Sequence, residues 1–339
     1  MQSHATVYGE NLLLPTPGME EMAGNVFERL QKQSEQNGHA NTFEMCKMKL
    51  TPFPSGEYEP ELLESVRGAT VFLLHPMQLP NPNVGLVNLL LIIDALMRAD
   101  IGRIKLVLPF IPFQRNDRRK DNARVSISAK VVANLIERYA AVRHIITLDL
   151  HTDQEVGLYN IPVDNIGATV IFLDDVRRRF NNDLSNLVVV SPDVGSANRV
   201  RRVARKLNAP LAIIDKDRKG PGQAEVLGIL GMSVKGKDAI LFDDMIDTGG
   251  TIINAARKLR EEGARSVEMY AIHGLFSGQA LERFKDAGFP VRVTASIPRT
   301  EEFREAHASW LTYVSIDQLL AKAIYAATVM RESISELSK

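Results

Sequence analysis

The sequence predicts an α/β protein of two similar domains, each with a largely parallel sheet flanked by helices. Three observations point there. Short β-branched runs alternate along the chain with helical patterns, as in strand–helix–strand units joined by right-handed crossovers. The runs are continuously apolar, without the apolar/polar alternation of half-exposed strands, so they read as parallel strands covered on both faces. The length of 339 residues, 45% apolar and 24% charged, suits two domains of ordinary size with substantial cores.

The elements come in order. A strand at 70–74 (TVFLL) leads through a loop into a helix at 84–98. Strands at 105–108 and 144–148 bracket a helix at 128–139. In the second half, strands at 187–190, 211–214, 239–242 and 267–271 alternate with helices at 197–207 and 252–262. The most apolar window, 84–97, contains Asn88 and Asp94. It is shorter than the ~20 residues of a membrane span and reads as a buried helix of a soluble fold. Leu12-Leu13-Leu14 is stopped by Pro15 and has no basic stretch before it, so no targeting segment is expected. The polar stretch 31–42 reads as an exposed loop.

A faint repeat relates the halves. Ser65-Val66-Arg67-Gly68 precedes the strand at 70–74, and Ser233-Val234-Lys235-Gly236 precedes the strand at 239–242. The halves read as copies of one unit, with chance similarity of amphipathic helices as the alternative. The expected domains are 1–165 and 166–339.

Charge narrows the function. Lys and Arg together number 41, as do Asp and Glu. A chain that lives on nucleic-acid phosphates carries a basic excess, so no nucleic-acid partner is expected. The one cysteine, Cys46, excludes an intrachain disulfide and suits a reducing cytoplasm.

The most informative segment is 239–251 (AILFDDMIDTGGT). An apolar strand ends in Asp243-Asp244, and Asp247-Thr248-Gly249-Gly250-Thr251 then leads into a helix. Open α/β sheets bind ligands at the C-terminal ends of their strands. The glycines allow unusual backbone angles and close approach of an anion. Free N–H groups at the helix start favour a phosphate. The acids repel that phosphate; they could accept hydrogen bonds from sugar hydroxyls or hold a hydrated cation. A ribose 5-phosphate group has the matching shape. Two competitors fail. Residues 231–238 (GMSVKGKD) imitate a P-loop but end in Asp238 and precede a strand. Gly220-Pro221-Gly222 lacks the third glycine of a dinucleotide fingerprint.

Residues 243–251 resemble the phosphoribosyl-diphosphate loop of type I phosphoribosyltransferases. The other motifs resemble one branch of that group, the ribose-phosphate diphosphokinases. Phe53-Pro54-Ser55-Gly56-Glu57, Arg115-Asn116-Asp117-Arg118, Asp149-Leu150-His151 with Gln154, Ser191-Pro192-Asp193-Val194-Gly195 and Ile214-Asp215-Lys216-Asp217-Arg218 come in the family's order. Phe276-Ser277-Gly278 comes after His273.

The resemblance implies two type I phosphoribosyltransferase-like domains, the first with a degenerate phosphate loop. It implies transfer of the diphosphoryl group of ATP to the C1 hydroxyl of ribose 5-phosphate, leaving AMP. Lys216 and Arg218 would be catalytic, from a flexible loop. Asp243, Asp244, Asp247, Thr248, Gly249, Gly250 and Thr251 would bind ribose 5-phosphate. Phe53, Ser55, Glu57, Arg115, Asn116, Asp117 and His151 would serve the nucleotide, Phe53 and Glu57 across a subunit interface. His151 and Asp193 would hold Mg2+, with Asp193 preferred because hard cations favour oxygen. A homo-oligomer, a hexamer built from dimers, is implied, with no membrane partner.

The chain departs from the family pattern at Ser55 (usually Asp), Asn116 (usually Gln), Asp217 (often Arg) and Ser196 (commonly Gly). Two alternatives remain beside this function: a non-catalytic regulatory relative, or the same transfer to a different ribose-5-phosphoryl acceptor.

Overall fold

The apolar runs lie at the centres of two sheets. In a computed structural model, the structure describes residues 10–38, 42–79, 81–119, 123–220, 223–328, 334 and 337, with backbone alone over 216–220 and 223–227. The chain forms two compact units, one of Met1–Gly167 with Asp317–Lys339, the other of Ala168–Ile316.

The first unit runs β1 (Asn11–Pro15), α1 (Glu20–Gln36), β2 (Phe43–Met45), β3 (Met48–Pro52), β4 (Tyr58–Leu62), β5 (Thr70–Leu74), α2 (Pro82–Arg98), β6 (Arg103–Leu108), α3 (Ser128–Glu137), β7 (Val142–Leu148), a 3₁₀ turn (Asp153–Leu158) and β8 (Val163–Ile166). Its sheet has the order β2-β1-β5-β6-β7-β8, parallel at every pair. All five residues of β5 are buried, as two-sided cover requires. Leu73, Ile92, Leu106 and Ile145 belong to the core between sheet and helices. Strands β3 and β4 form a separate antiparallel hairpin.

The second unit runs α4 (Thr169–Arg179), β9 (Leu187–Ser191), α5 (Ala197–Lys206), β10 (Leu211–Gly220), β11 (Gln223–Gly231), β12 (Asp238–Ile246), α6 (Gly250–Glu261), β13 (Ser266–Gly274), α7 (Ala280–Ala287), β14 (Val291–Thr294), α8 (Glu301–His307) and β15 (Leu311–Val314). The sheet order is β11-β10-β9-β12-β13-β14-β15. Only the β10–β11 pair is antiparallel. Val190, Leu241, Met269 and Phe284 lie in its core. Arg292 Nε and Nη2 donate to the buried Asp175 carboxylate at 2.5 and 2.8 Å, tying β14 to α4.

The repeat seen in the sequence falls on equivalent strands. The order β1-β5-β6-β7-β8 matches β9-β12-β13-β14-β15. Gly68 and Gly236, before β5 and β12, have φ of 70° and 72°. Gly68 N–H donates to Asp100 O and Gly236 N–H to Gly263 O, at 2.9 and 2.7 Å. Asp100 and Gly263, which come just after α2 and α6, are also left-handed, with φ of 60° and 85°. The same turn geometry closes the same corner in both units.

Three expectations need correction. Residues 31–36 of the expected loop continue α1, with Ser34 buried and Gln31 Nε2 donating to Phe43 O; 39–41 lie outside the described residues. The helix is polar on its outer face, which is why composition suggested a loop. The second domain was expected to reach 339, but the chain leaves that unit at Ile316. Its last helix, α9 (Asp317–Ala326), joins the first unit, where Asn25 Nδ2 donates to Asp317 Oδ2 at 3.0 Å. The apolar window at 84–97 is a helix but not a wholly buried one: Val87, Leu91 and Met97 are exposed.

The 3₁₀ turn carries a titratable latch. Thr152 N–H donates to Glu155 Oε1 at 2.8 Å, in a reciprocal capping arrangement. Burial is the main cause that raises the Glu155 pKa to about 7. Its protonated form is thus favoured by folding. That stability is full below the ordinary carboxylate range and is lost as pH rises toward 7. Unfolding free energy should therefore fall between about pH 4.5 and 7, and Glu155→Gln should flatten that slope, as measured by denaturant titration at a series of pH values.

Candidate functional site

In the second unit the chain passes from β9 to β10 on one side and from β12 to β13 on the other, so the strand order reverses between β9 and β12. A crevice opens at such a switch point, beyond the C-terminal strand ends. Here β9 pairs with β12 only as far as Val190 opposite Leu241, whereas β12 continues beside β13 to Ile246. Asp243 and Asp244 stand just past the last residue paired to β9. Asp193 comes just after the end of β9.

These three carboxylates form the acidic wall. Asp244 N–H donates to Asp243 Oδ1 and Met245 N–H to Asp244 Oδ1, both at 2.9 Å. Arg199 Nη1, from the first turn of α5, lies 3.4 Å from Asp244 Oδ2. Desolvation, and next the charge of Asp244, holds the Asp243 carboxyl well above the usual carboxylate range, and Asp193 adds to the effect. Asp193 Oδ1 accepts from Ser196 N–H at 2.8 Å, which fixes the turn into α5. A surplus of carboxylates at a strand edge suits hydroxyl donors or a cation.

The phosphate side is built from backbone. Gly249 is the residue before α6, has φ of 76°, and offers no side-chain cap. A Cβ at Gly249 would lie 2.5 Å from Phe284 Cε2. Both facts require glycine. The loop is braced from behind: Leu275 N–H donates to Ile246 O at 2.8 Å and Ser277 N–H to Asp247 O at 3.1 Å. Arg283 Nη1 donates to Thr248 O at 3.3 Å. Thr248 and Thr251 are exposed. The first N–H groups of α6 have no side-chain cap of their own to satisfy them.

In the first unit, two candidate motifs come together. His151 N–H donates to the buried Gln114 Oε1 at 2.9 Å, and Thr152 Oγ1 to Asp117 Oδ2 at 3.4 Å. Asn116 O accepts from Ala129 N–H, which anchors the segment to the start of α3. Arg115 is exposed. Asp149, at the exit of β7, is buried with φ of 37°, a conformation that L side chains hold only when their surroundings fix it.

Phe53, Ser55 and Glu57 occupy the tip of the β3–β4 hairpin. Phe53 N–H donates to Glu57 O at 2.8 Å, Gly56 N–H to Phe53 O at 2.9 Å, and Ser55 Oγ to Glu57 Oε2 at 2.7 Å. The Phe53 ring is 44% exposed. Lys216 and Arg218 do not lie in a loop: β10 continues through Gly220, opposite β11, with Lys216 paired to Val226 and Arg218 to Ala224. Their side chains lie outside the described residues, as do 221 and 222 of the expected loop. Among the described residues, no group of three or more His, Cys, Asp or Glu converges as a metal cage.

Sequence reasoning missed Arg199, Phe284, Gln114 and Glu155. Arg199 is one of several basic residues in 197–206, and nothing in the sequence sets it apart. Gln114 adjoins Arg115, so its neighbourhood was visible while its role was not.

Both units have likenesses among known proteins. Residues 13–139 match the N-terminal domain of ribose phosphate pyrophosphokinase, and residues 162–297 match the phosphoribosyl transferase domain. A ribose-phosphate pyrophosphokinase of Bordetella parapertussis is 43% identical over 296 residues, covering 86% of this chain and 91% of that protein. One from Chromobacterium violaceum is 47% identical over 249 residues, covering 73% and 74%. The crystal structure of phosphoribosylpyrophosphate synthetase from Mycobacterium smegmatis superimposes with a TM-score of 0.78 at 37% identity, over 94% of this chain and 98% of that one. Likeness of this extent covers both units, and the chain belongs to the ribose-phosphate pyrophosphokinase family.

Proposed function

We propose that the chain transfers the β,γ-diphosphoryl group of ATP to ribose 5-phosphate, giving 5-phosphoribosyl 1-diphosphate and AMP. The observation that carries the reading is the pairing of an uncapped α6 N-terminus with the carboxylates Asp243 and Asp244 immediately upstream. The 5-phosphate is taken by the N–H groups and hydroxyls of Asp247, Thr248, Gly249, Gly250 and Thr251. The ribose hydroxyls donate to Asp243 and Asp244. The C1 oxygen then attacks the β-phosphorus, its bond to the oxygen bridging to the α-phosphorus breaks, and AMP departs with that oxygen. The C1 hydroxyl proton is released. Such a reaction is mostly positioning and charge neutralisation.

Lys216 and Arg218 are assigned to the charge on the transferring group. Their strand supports this role. Beyond Ile213, β10 has no register with β9 and pairs with β11 alone, with a register shift at Asp215/Lys216. A two-stranded ribbon is marginally stable by itself, so it can close on substrate without disturbing the sheet. Arg115, Asn116, Asp117 and His151 are assigned to the nucleotide. Phe53, Ser55 and Glu57, at an exposed tip, are available to the nucleotide of a neighbouring copy.

A divalent metal fits the residues present. Asp193 and Asp243 are oxygen donors whose mutual charge calls for a cation. Magnesium takes few protein ligands and the rest from phosphates and water, which agrees with the lack of a cage among the described residues. Asp193 is the residue of the second unit proposed to hold it. Bound with the nucleotide, Mg2+ would neutralise phosphate charge.

Self-association, including a hexamer built from dimers, rests on apolar stripes of the first unit. Val87 and Leu91 on α2, Val131 and Leu135 on α3, and Ile127 just before α3 are exposed at a spacing of four. No helix among the described residues is long and apolar enough to cross a membrane. The proposed activity also places the chain in the cytoplasm.

Incubation with ATP, Mg2+ and ribose 5-phosphate should release AMP and not ADP, with product mass read by spectrometry; Lys216→Ala should lower kcat by ~10²–10³. Release of ADP, or an unimpaired Lys216→Ala, would overturn the assignment. Gly249→Ala places a side chain at positive φ and against Phe284, straining the loop by ~1–3 kcal/mol; KM for ribose 5-phosphate should rise about tenfold or more, with the bulk of the fold retained by circular dichroism. Replacing Val131 and Leu135 together by Glu should shift sedimentation toward smaller species.

A further inference from the structure

The first unit has its own switch point. The chain goes from β1 to β2 on one side and from β5 to β6 on the other. A cavity of about 350 Å³ lies there, lined by Thr16 and Pro17 after β1, by His75, Pro76 and Leu79 after β5, by Asn88 of α2, and by Leu50 and Tyr58 of the hairpin. This volume lies within the usual range of small-molecule pockets.

Asn88 is the unexplained residue. It sits on the buried stripe of α2 beside Leu89, Ile92 and Ile93, and is 4% exposed. It lines the cavity, yet its carboxamide makes no side-chain hydrogen bond among the described residues. The amide is not among the buried polar atoms cut off from solvent, so it opens onto the cavity. An amide in this place makes sense if something in the cavity pairs with it.

The chemistry of the lining selects the ligand. None of the eight residues carries a carboxylate, ammonium or guanidinium group. His75 is fully engaged, with Nδ1 2.9 Å from Thr16 Oγ1 and Nε2 2.9 Å from Gly85 O. Burial lowers its pKa to about 4, so the ring is neutral. The helix start is closed as well: the Asn81 side chain accepts from Asn83 N–H and Val84 N–H, both at 3.1 Å. An anion finds no counter-charge in this lining and no free helix terminus. Pro17, Pro76, Leu50 and Leu79 provide apolar walls for a flat ring, and a carboxamide presents an adjacent donor and acceptor, the pair that asparagine uses to grip the N6/N7 edge of adenine.

We propose that this cavity is a binding site for an uncharged purine base, held edge-on by Asn88 between the apolar walls. The site is separate from the ribose-phosphate loop and independent of its assignment.

The test is calorimetric titration of the full chain with adenine. Saturable binding is expected, weakened tenfold or more by Asn88→Leu, which removes the amide pair, and by Leu79→Phe, which narrows the cavity. Met97→Ala, at an exposed position of α2 outside the cavity lining, should leave adenine binding intact. Melting temperatures of the variants establish that they fold. Lack of saturable binding by the unaltered chain would overturn the proposal. So would adenine affinity unchanged in folded Asn88→Leu, or lost in folded Met97→Ala. Inorganic phosphate should neither bind at this cavity nor displace adenine; displacement would equally overturn it.

Discussion

The site in the second unit depends on one packing constraint. Gly249 lies against the ring of Phe284, which is stacked on Trp310 with centroids 5.6 Å apart and meets Phe276 edge-on at 5.8 Å. The three rings fix where the backbone can turn before α6. With no room for a Cβ, the residue ahead of α6 cannot be the Ser, Thr, Asp or Asn that ordinarily caps a helix. The first N–H groups are left for a ligand. Core aromatics, far from the chemistry in sequence, thus determine an anion site made of backbone.

The two units differ in this constraint and therefore in chemistry. Both have the same parallel strand order and the same glycine-assisted corner before the second core strand. At the equivalent helix start in the first unit, Asn81 supplies its own cap and Pro82 opens the helix. The carboxylate pair in the last part of β12 has as counterpart, just after β5, a neutral His75 and then Pro76. One switch point is polar and charged, the other uncharged. The common scaffold supplies a crevice, and a few residues at two strand ends decide its chemistry.

Much of this was legible in the sequence. Continuous apolar runs such as 70–74 and 187–190 marked strands within a residue or two, because strands buried on both faces leave no polar positions to blur the pattern. The DDMIDTGGT string stated its chemistry through residue types alone. What stayed hidden was tertiary. The inner face of α1 became visible only against α9, which arrives from the far end of the chain. Extension of β10 to Gly220 depends on β11, since a Lys/Arg-rich stretch carries no strand signal of its own. Arg199 and Phe284 act through contacts that no local spacing records.

The zero net charge is a consequence of the same construction. Handling several phosphate groups would ordinarily call for a basic excess, yet the phosphate cradle at α6 uses peptide dipoles, which add no formal charge. The sugar edge uses acids. Formal cations are then needed only where charge moves, as proposed for Lys216 and Arg218. Arg199 neutralises Asp244 and leaves Asp243 as the carboxyl whose ionisation is most opposed by its surroundings. A hydroxyl donor or a cation arriving there relieves that opposition, so substrate binding and the electrostatics of the crevice favour the same event.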